Sequence, residues 1–402
     1  AINNKKITLN ADNLDAQSGS RLDISGSGDT FAFEWIQGIG GSVDMLAKSG
    51  YYAVLPALGN QYAPYDFLMN GGSDAGIGQA IYLAGGNGLA AGTYTLLPAR
   101  YALMPGAFLI HTNGANLQLN TQLAQLDGST LSSGYMTKLD GTSRGQYSSF
   151  NIINGNTSYQ DYGSKNYKGL ADYMITSGNA FVTKKALGDN TATPRLASDA
   201  GQLVLAAGSS LNLGGEINTS AVTGARGALV DISSNDIRVV STVDPSQSGV
   251  LQISASQLSG INADSVLLGG SRTLNGNTQA ITTTASNVTF SNDADHAVQL
   301  DELIVASKDT ITLNQGAVIK TGAKQGAAGE TKLVTSGDGA LLAVSAKNDL
   351  DFSRTGVSTE PVNGKLVVGE AASVSSGRSM VLDATAAFEQ SGEIQVADGG
   401  TV

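Results

Sequence analysis

Glu302-Leu-Ile-Val-Ala-Ser-Lys-Asp-Thr-Ile-Thr-Leu313 is the stretch on which the fold turns. Leu303 and Val305 form an apolar pair, and Ile311 and Leu313 repeat that pair eight residues on. Apolar-x-apolar is the period of a β-strand with one buried face. Ser307-Lys308-Asp309 between the pairs is turn chemistry. Two short strands joined by such a turn make one corner of a coil.

The same figure recurs along the second half. Leu203/Leu205 leads to Leu211/Leu213, Leu342/Val344 to Leu350/Phe352, Met380/Leu382 to Phe388, and Ile394 to Val402. From Leu303 to Leu342 is 39 residues and from Leu342 to Met380 is 38. These are near multiples of a rung of about 20 residues, the repeat of a chain that stacks each coil on the last. The pattern predicts an all-β chain folded as a parallel β-solenoid. Ile7-Thr-Leu9, Leu14 and Leu22-Asp-Ile24 carry the same spacing. Solenoid rungs are therefore expected over residues 1–30 and again over 196–402. Asn154-Gly155, Asn275-Gly276 and Asn363-Gly364 are hairpin signals, read as local ribbons projecting from the coil.

Residues 31–195 are different material. All 13 tyrosines lie between Tyr51 and Tyr173, and the only tryptophan is Trp35. Pro56, Pro64, Pro98, Pro105 and Pro194 punctuate the same stretch. It reads as an aromatic, Gly-rich elaboration outside the coil. Trp35, Tyr51 and Tyr52 have aliphatic neighbours and are expected in a core. The best helix candidate, Lys165 to Ser177, is short and weakly periodic.

Hydrophobic content of 41% is enough for a core, while charged content is only 14% against the usual ~25%. A net charge of −11 repels phosphate backbones and anionic membranes, so nucleic acid is not an expected partner. The absence of cysteine excludes disulfides and thiolate metal sites, and fits export through an oxidising compartment. No apolar run approaches the ~18 residues of a transmembrane segment.

Catalytic machinery is not legible. His111 reads as a polar residue ending a strand and facing solvent. Asp293-Ala-Asp295-His296 reads as a charged turn, because a metal site needs three or more converging ligands. Asp293, Asp295, Asp301, Glu302 and Lys308 are what a polysaccharide-cleaving enzyme would draw on, yet they read as a solvated acidic loop. Gly76-Ile-Gly78 and Gly85-Gly-Asn-Gly88 read as turns rather than phosphate loops. No catalytic residue, metal site or cofactor is expected, and the chain reads as no enzyme. Tyr147, Tyr159, Tyr162, Tyr167 and Tyr173 stand in a polar stretch and are the binding candidates. A tyrosine offers a flat apolar face and a hydroxyl, suited to sugar stacking and protein recognition. The competing reading packs them over the solenoid flank.

Gly92-Thr-Tyr-Thr-Leu-Leu-Pro-Ala-Arg-Tyr-Ala-Leu-Met-Pro-Gly-Ala-Phe-Leu-Ile110 resembles a recurring segment of the filamentous-haemagglutinin-like large exoproteins of Gram-negative bacteria. Phe31 to Leu46 and Tyr51 to Asp66 resemble the stretches that precede it there. The likeness covers roughly residues 1 to 115. It implies a right-handed parallel β-helix, export by two-partner secretion through an outer-membrane partner, and a place at the cell surface. It also implies a role in adhesion, in biofilm or as a toxin stalk, with this chain an interior section of a longer protein. The expected function is a structural and adhesive shaft section presenting a surface to a host or matrix glycan or protein. The alternatives are a self-assembling extracellular filament or matrix subunit, and a carbohydrate-active β-helix enzyme.

Overall fold

The computed structural model describes residues 5–36, 44–63, 76–114, 117–126, 128–138, 140–142, 145–154, 172–323, 329–397 and 400–401. Among the described residues strands hold 51% and helix 7%, so the chain is all-β. It divides into two compact units, one of residues 1–30 and 178–402, the other of Phe31–Ser177.

The first unit is built from stacked ladders. One sheet has seven strands, in order Lys6–Ala16, Gln202–Leu213, Leu229–Ser233, Ser265–Leu268, Glu302–Ser307, Ala340–Ser345 and Ser379–Ala384. The first five are mutually parallel. Their register aligns like with like: Ile7, Leu203, Val230, Val266 and Leu303 lie in one row. A six-stranded sheet, parallel throughout, aligns Ile237, Val288, Ile311, Leu366 and Phe388. A four-stranded parallel sheet aligns Val298, Ile319, Val374 and Ile394. Side chains from all three rows meet in one core, where Leu203, Val266, Val288, Ile311, Leu366 and Val374 are buried. Each such side chain contributes about 1.5–3 kcal/mol of burial.

The eight-residue step is a corner between sheets. Leu303/Val305 belongs to the seven-stranded sheet and Ile311/Leu313 to the six-stranded one. Leu203/Leu205 and Leu211/Leu213 instead share one long strand, whose ladder to Lys6–Ala16 shifts register between Ala11 and Asn13. A spacing of 20 to 23 residues holds where no excursion intervenes: Val288 pairs Ile311, Leu366 pairs Phe388, and Val374 pairs Ile394.

The 39-residue interval has another cause. Ala340–Ser345 runs antiparallel to both Glu302–Ser307 and Ser379–Ala384. Leu342 therefore lies opposite Val305, and Leu303 opposite Val344. Apolar-x-apolar carries no direction, so a reversed strand reads like a rung.

Gly270–Asn275 and Thr278–Thr283 form an antiparallel hairpin about Gly276-Asn277, as the Asn-Gly signal predicts. Gly276 has φ +63°, a left-handed conformation that glycine adopts without a Cβ penalty. The hairpin continues into Gly329–Ser336 and Asn348–Thr355 as a second four-stranded sheet. A second core forms from Leu267, Ile304, Leu341 and Ala343 with Ile281 and Leu333. The central strands of the seven-stranded sheet are thus packed on both faces, which is why Glu302–Ser307 and Ala340–Ser345 are buried at every position.

The second unit is antiparallel. A ribbon pairs Phe31–Ile36 with Asp172–Ser177. An eight-stranded sheet carries Gly92–Thr95, Ala80–Leu83, Thr130–Thr137, Ser148–Asn154, Phe108–Thr112, Tyr51–Val54 and Leu97–Pro98 in spatial order, with Gln122–Ala124 beside Thr130–Thr137. One core gathers Tyr52, Ile81, Leu83, Tyr94, Phe108 and Ile110; another gathers Ala53, Leu97, Leu103, Leu109 and Tyr173, with Trp35 and Tyr51 packed against it. The unit closes at Ser177, before Pro194. Of the helix candidate at 165–177, residues 165–171 lie outside the described residues and Asp172–Ser177 is strand. The helix begins at Gly178 and runs to Gly188. Asn154-Gly155 falls partly outside the described residues.

Candidate functional site

Three tyrosines form a row across the eight-stranded sheet. Tyr82 and Tyr135 are direct cross-strand partners. Their rings stack at 5.3 Å between centroids, 24° from parallel. Tyr147 sits one residue before Ser148–Asn154, where the register Gly134↔Ser148 carries it opposite Tyr135. Its ring meets that of Tyr135 edge-on at 5.0 Å and 62°. All three are half-buried. Aromatic pairs on one sheet face hold each other by about 0.5–1.5 kcal/mol beyond burial, so the row is a fixed surface.

A second row lies four positions further along Ser148–Asn154 and runs on into Phe108–Thr112 and Tyr51–Val54. His111 pairs with Tyr51 on one side and Asn151 on the other. The Tyr51 and His111 rings stack at 4.1 Å and 21°. Half-burial, with the Lys48 charge nearby, holds the His111 pKa below its ordinary value. His111 is therefore a packed, stacked ring and not the solvent-facing strand end expected from its neighbours. Between the rows, Ser133 and Ser149 are fully buried.

The sequence candidates fare differently. Tyr147 joins the row. Tyr173 is 5% exposed and packs with Ala53, Leu97 and Leu109. Its hydroxyl donates to Asp44, whose carboxylate also pairs with Arg100 at 3.5 Å. A ring so enclosed offers no face to a ligand. Tyr159, Tyr162 and Tyr167 lie outside the described residues. The sequence does not single out Tyr82, whose neighbours are aliphatic, or Tyr135. Their signal is cross-strand register, which needs the sheet order.

The charged residues take separate partners. Asp293 accepts from Ser241 Oγ at 2.7 Å and faces His296 Nδ1 at 2.8 Å in an exposed turn. Those hydrogen bonds, led by that of Ser241, bring its pKa down to about 2. Asp301 pairs with Lys347 at 2.8 Å, and Glu302 is buried against Ser345 and Asn348. No group of three or more metal-ligating side chains occurs among the described residues. Nor is any of their helices long and apolar enough to cross a membrane. The Asn218 and Asn287 side-chain amides, each in a glycosylation-type sequence, donate to Asp23 and Asp236.

No family model matches the chain, and no curated protein or solved structure matches it.

Proposed function

We propose that this chain is a structural and adhesive section of a large, secreted bacterial surface exoprotein of the filamentous-haemagglutinin-like kind. In this reading residues 1–30 and 178–402 are rungs of a right-handed parallel β-helix, and Phe31–Ser177 carries the contact surface. Export would use the two-partner route, and the partner would be a host or matrix glycan or protein. The observation that carries the reading is the row of like residues in register, Ile237, Val288, Ile311, Leu366 and Phe388, on successive parallel strands. A stack of that kind transmits load through ladder hydrogen bonds and a continuous core, and needs neither cofactor nor metal. The tyrosine row Tyr82/Tyr135/Tyr147 supplies a rigid apolar face with hydroxyls at its margin.

Negative-stain electron microscopy across a concentration series tests the reading. The adhesive section predicts single particles at every concentration. Fibres or regular assemblies at high concentration would make self-association the function instead.

A further inference from the structure

Asp244-Pro245 is the only aspartyl-prolyl bond in the sequence. It lies in the loop that joins Asp236–Val240 to Leu251–Ser254, neighbouring strands of the six-stranded sheet. Residues 242–249 of that loop are exposed. Such a loop is ordinarily free to move, yet Asp244 is fixed at its backbone and at its side chain.

Gln252 holds the backbone. Its side chain is only 8% exposed. Gln252 Oε1 accepts from the Asp244 N–H at 3.0 Å, and Gln252 Nε2 donates to the Asp244 carbonyl oxygen at 2.9 Å. The backbone N–H of Gln247 donates to that same oxygen at 3.2 Å. The carbonyl of the Asp244–Pro245 bond thus faces two donors. That is the arrangement that stabilises the oxyanion formed when a carbonyl is attacked.

The Asp244 carboxylate is a nucleophile held beside that carbonyl. Its Oδ1 accepts from the Ser246 N–H at 3.0 Å and from Ser246 Oγ at 2.6 Å, and Oδ2 accepts from Gln247 Nε2 at 3.4 Å. A carboxylate bonded to the N–H two residues on is folded back over the chain between them. These bonds, led by that of Ser246 Oγ, hold its pKa below the ordinary value, so it stays ionised in mild acid. Charged groups around the loop have other partners. Arg238 Nη1 donates to Gln247 Oε1 at 2.9 Å, and Asp293 is taken by Ser241 and His296. The proline nitrogen carries no N–H and departs as a secondary amine.

We propose that Asp244–Pro245 is a self-cleaving peptide bond. A carboxylate oxygen of Asp244 attacks the Asp244 carbonyl carbon and closes a cyclic anhydride. Negative charge passes to the carbonyl oxygen, against Gln252 Nε2 and the Gln247 N–H. The C–N bond then breaks, its electron pair stays on the Pro245 nitrogen, and that nitrogen takes a proton from solvent. Water opens the anhydride. The net change is hydrolysis to a chain ending at Asp244 and a chain beginning at Pro245, with no cofactor or oxidant. Ladder pairing on both sides of the loop keeps the pieces together until the protein is denatured. The site lies in the first unit and does not depend on the adhesive reading.

The test incubates the intact chain, with protease inhibitors, at neutral pH and at about pH 4, near the ordinary aspartate pKa. Mass spectrometry under denaturing conditions follows the fragments. A synthetic peptide of residues 239–252 is the unfolded reference. The expected result is a growing pair of fragments, 1–244 and 245–402, formed at least tenfold faster than the peptide is cut. Cleavage should be faster at the lower pH, where the departing nitrogen is protonated more readily while Asp244 is still ionised. Asp244→Asn, whose side-chain oxygen keeps acceptors for Ser246, should lose the cleavage. Gln252→Met, which keeps the side-chain length and removes the donor, should slow it at least tenfold with an unchanged circular dichroism spectrum. A folded wild-type chain cut no faster than the peptide overturns the proposal. So does equal cleavage of Asp244→Asn, because the carboxylate is then not the nucleophile.

Discussion

Arg272 and Asp231 are joined across 2.6 Å, Nε to Oδ1, with both side chains wholly removed from solvent. Asp231 stands in the sheet row that carries Leu267 on the next strand, and Arg272 stands on the hairpin. The pair therefore pins the hairpin over the seven-stranded sheet where neighbouring rungs use apolar contact. Gln202 Nε2 and the Arg272 backbone N–H complete Asp231 at 2.8 and 2.9 Å, so the buried charges are met on all sides. Arg272→Met leaves Asp231 buried and unpaired and should cost about 3–5 kcal/mol. The double change with Asp231→Leu should recover much of that loss. Urea denaturation of the three variants checks both statements.

Position in a ladder row sets the worth of a side chain. Ile311 and Phe388 belong to the same row, yet Ile311 is fully buried and Phe388 is 48% exposed. Ile311→Ala should cost about 2–5 kcal/mol, while Phe388→Ala should cost about 1 kcal/mol or less. Denaturant midpoints at constant m-value decide the matter.

Asp199 links stability to acid. Burial pushes its carboxyl up, but the backbone N–H groups of Leu196 and Arg226 and the Arg226 guanidinium outweigh that and hold it below the usual range. The two backbone contacts are 2.8 Å, and the guanidinium lies 2.9 Å away through Nε and 2.7 Å through Nη2. The unfolded chain titrates near ~3.9, above the folded value. The contribution is then complete above that pH and is lost as pH falls through the folded value. Asp199→Asn should therefore be less stable than wild type at pH 6, and the gap should narrow as pH falls below about 4. A gap independent of pH would contradict the linkage.

Tyr173 and Tyr147 separate core from surface. Tyr173→Ala removes a ring from a packed core along with its bond to Asp44, and should cost about 3–5 kcal/mol. Tyr147→Ala, at a half-buried edge-on contact, should cost about 1 kcal/mol. Thermal melts of the two single variants give the comparison.

Local sequence carried the strands, the corner at Ser307-Lys308-Asp309 and the Asn275-Gly276 hairpin, because each is written within a dozen residues. Strand direction was not legible: Leu342/Val344 has the same pattern whether it runs with or against Leu303/Val305. The edge of the compact unit Phe31–Ser177 is likewise not written locally. Pro194 is a local stop, whereas the unit closes by pairing Phe31 with Ser177 across most of the segment. The tyrosine row combines residues from three distant stretches, so only register brings it together. Tyr173 lay in a polar stretch but alternates inward on its strand, where Asp44 waits.

Binding of the intact chain to an array of glycans and matrix proteins, compared with a Tyr82→Ala/Tyr135→Ala/Tyr147→Ala variant, tests the central claim most directly. The account predicts that the wild-type chain binds at least one arrayed ligand, and that the variant loses at least tenfold while its circular dichroism spectrum stays unchanged. No binding by the wild type, or equal binding by a folded variant, would contradict it.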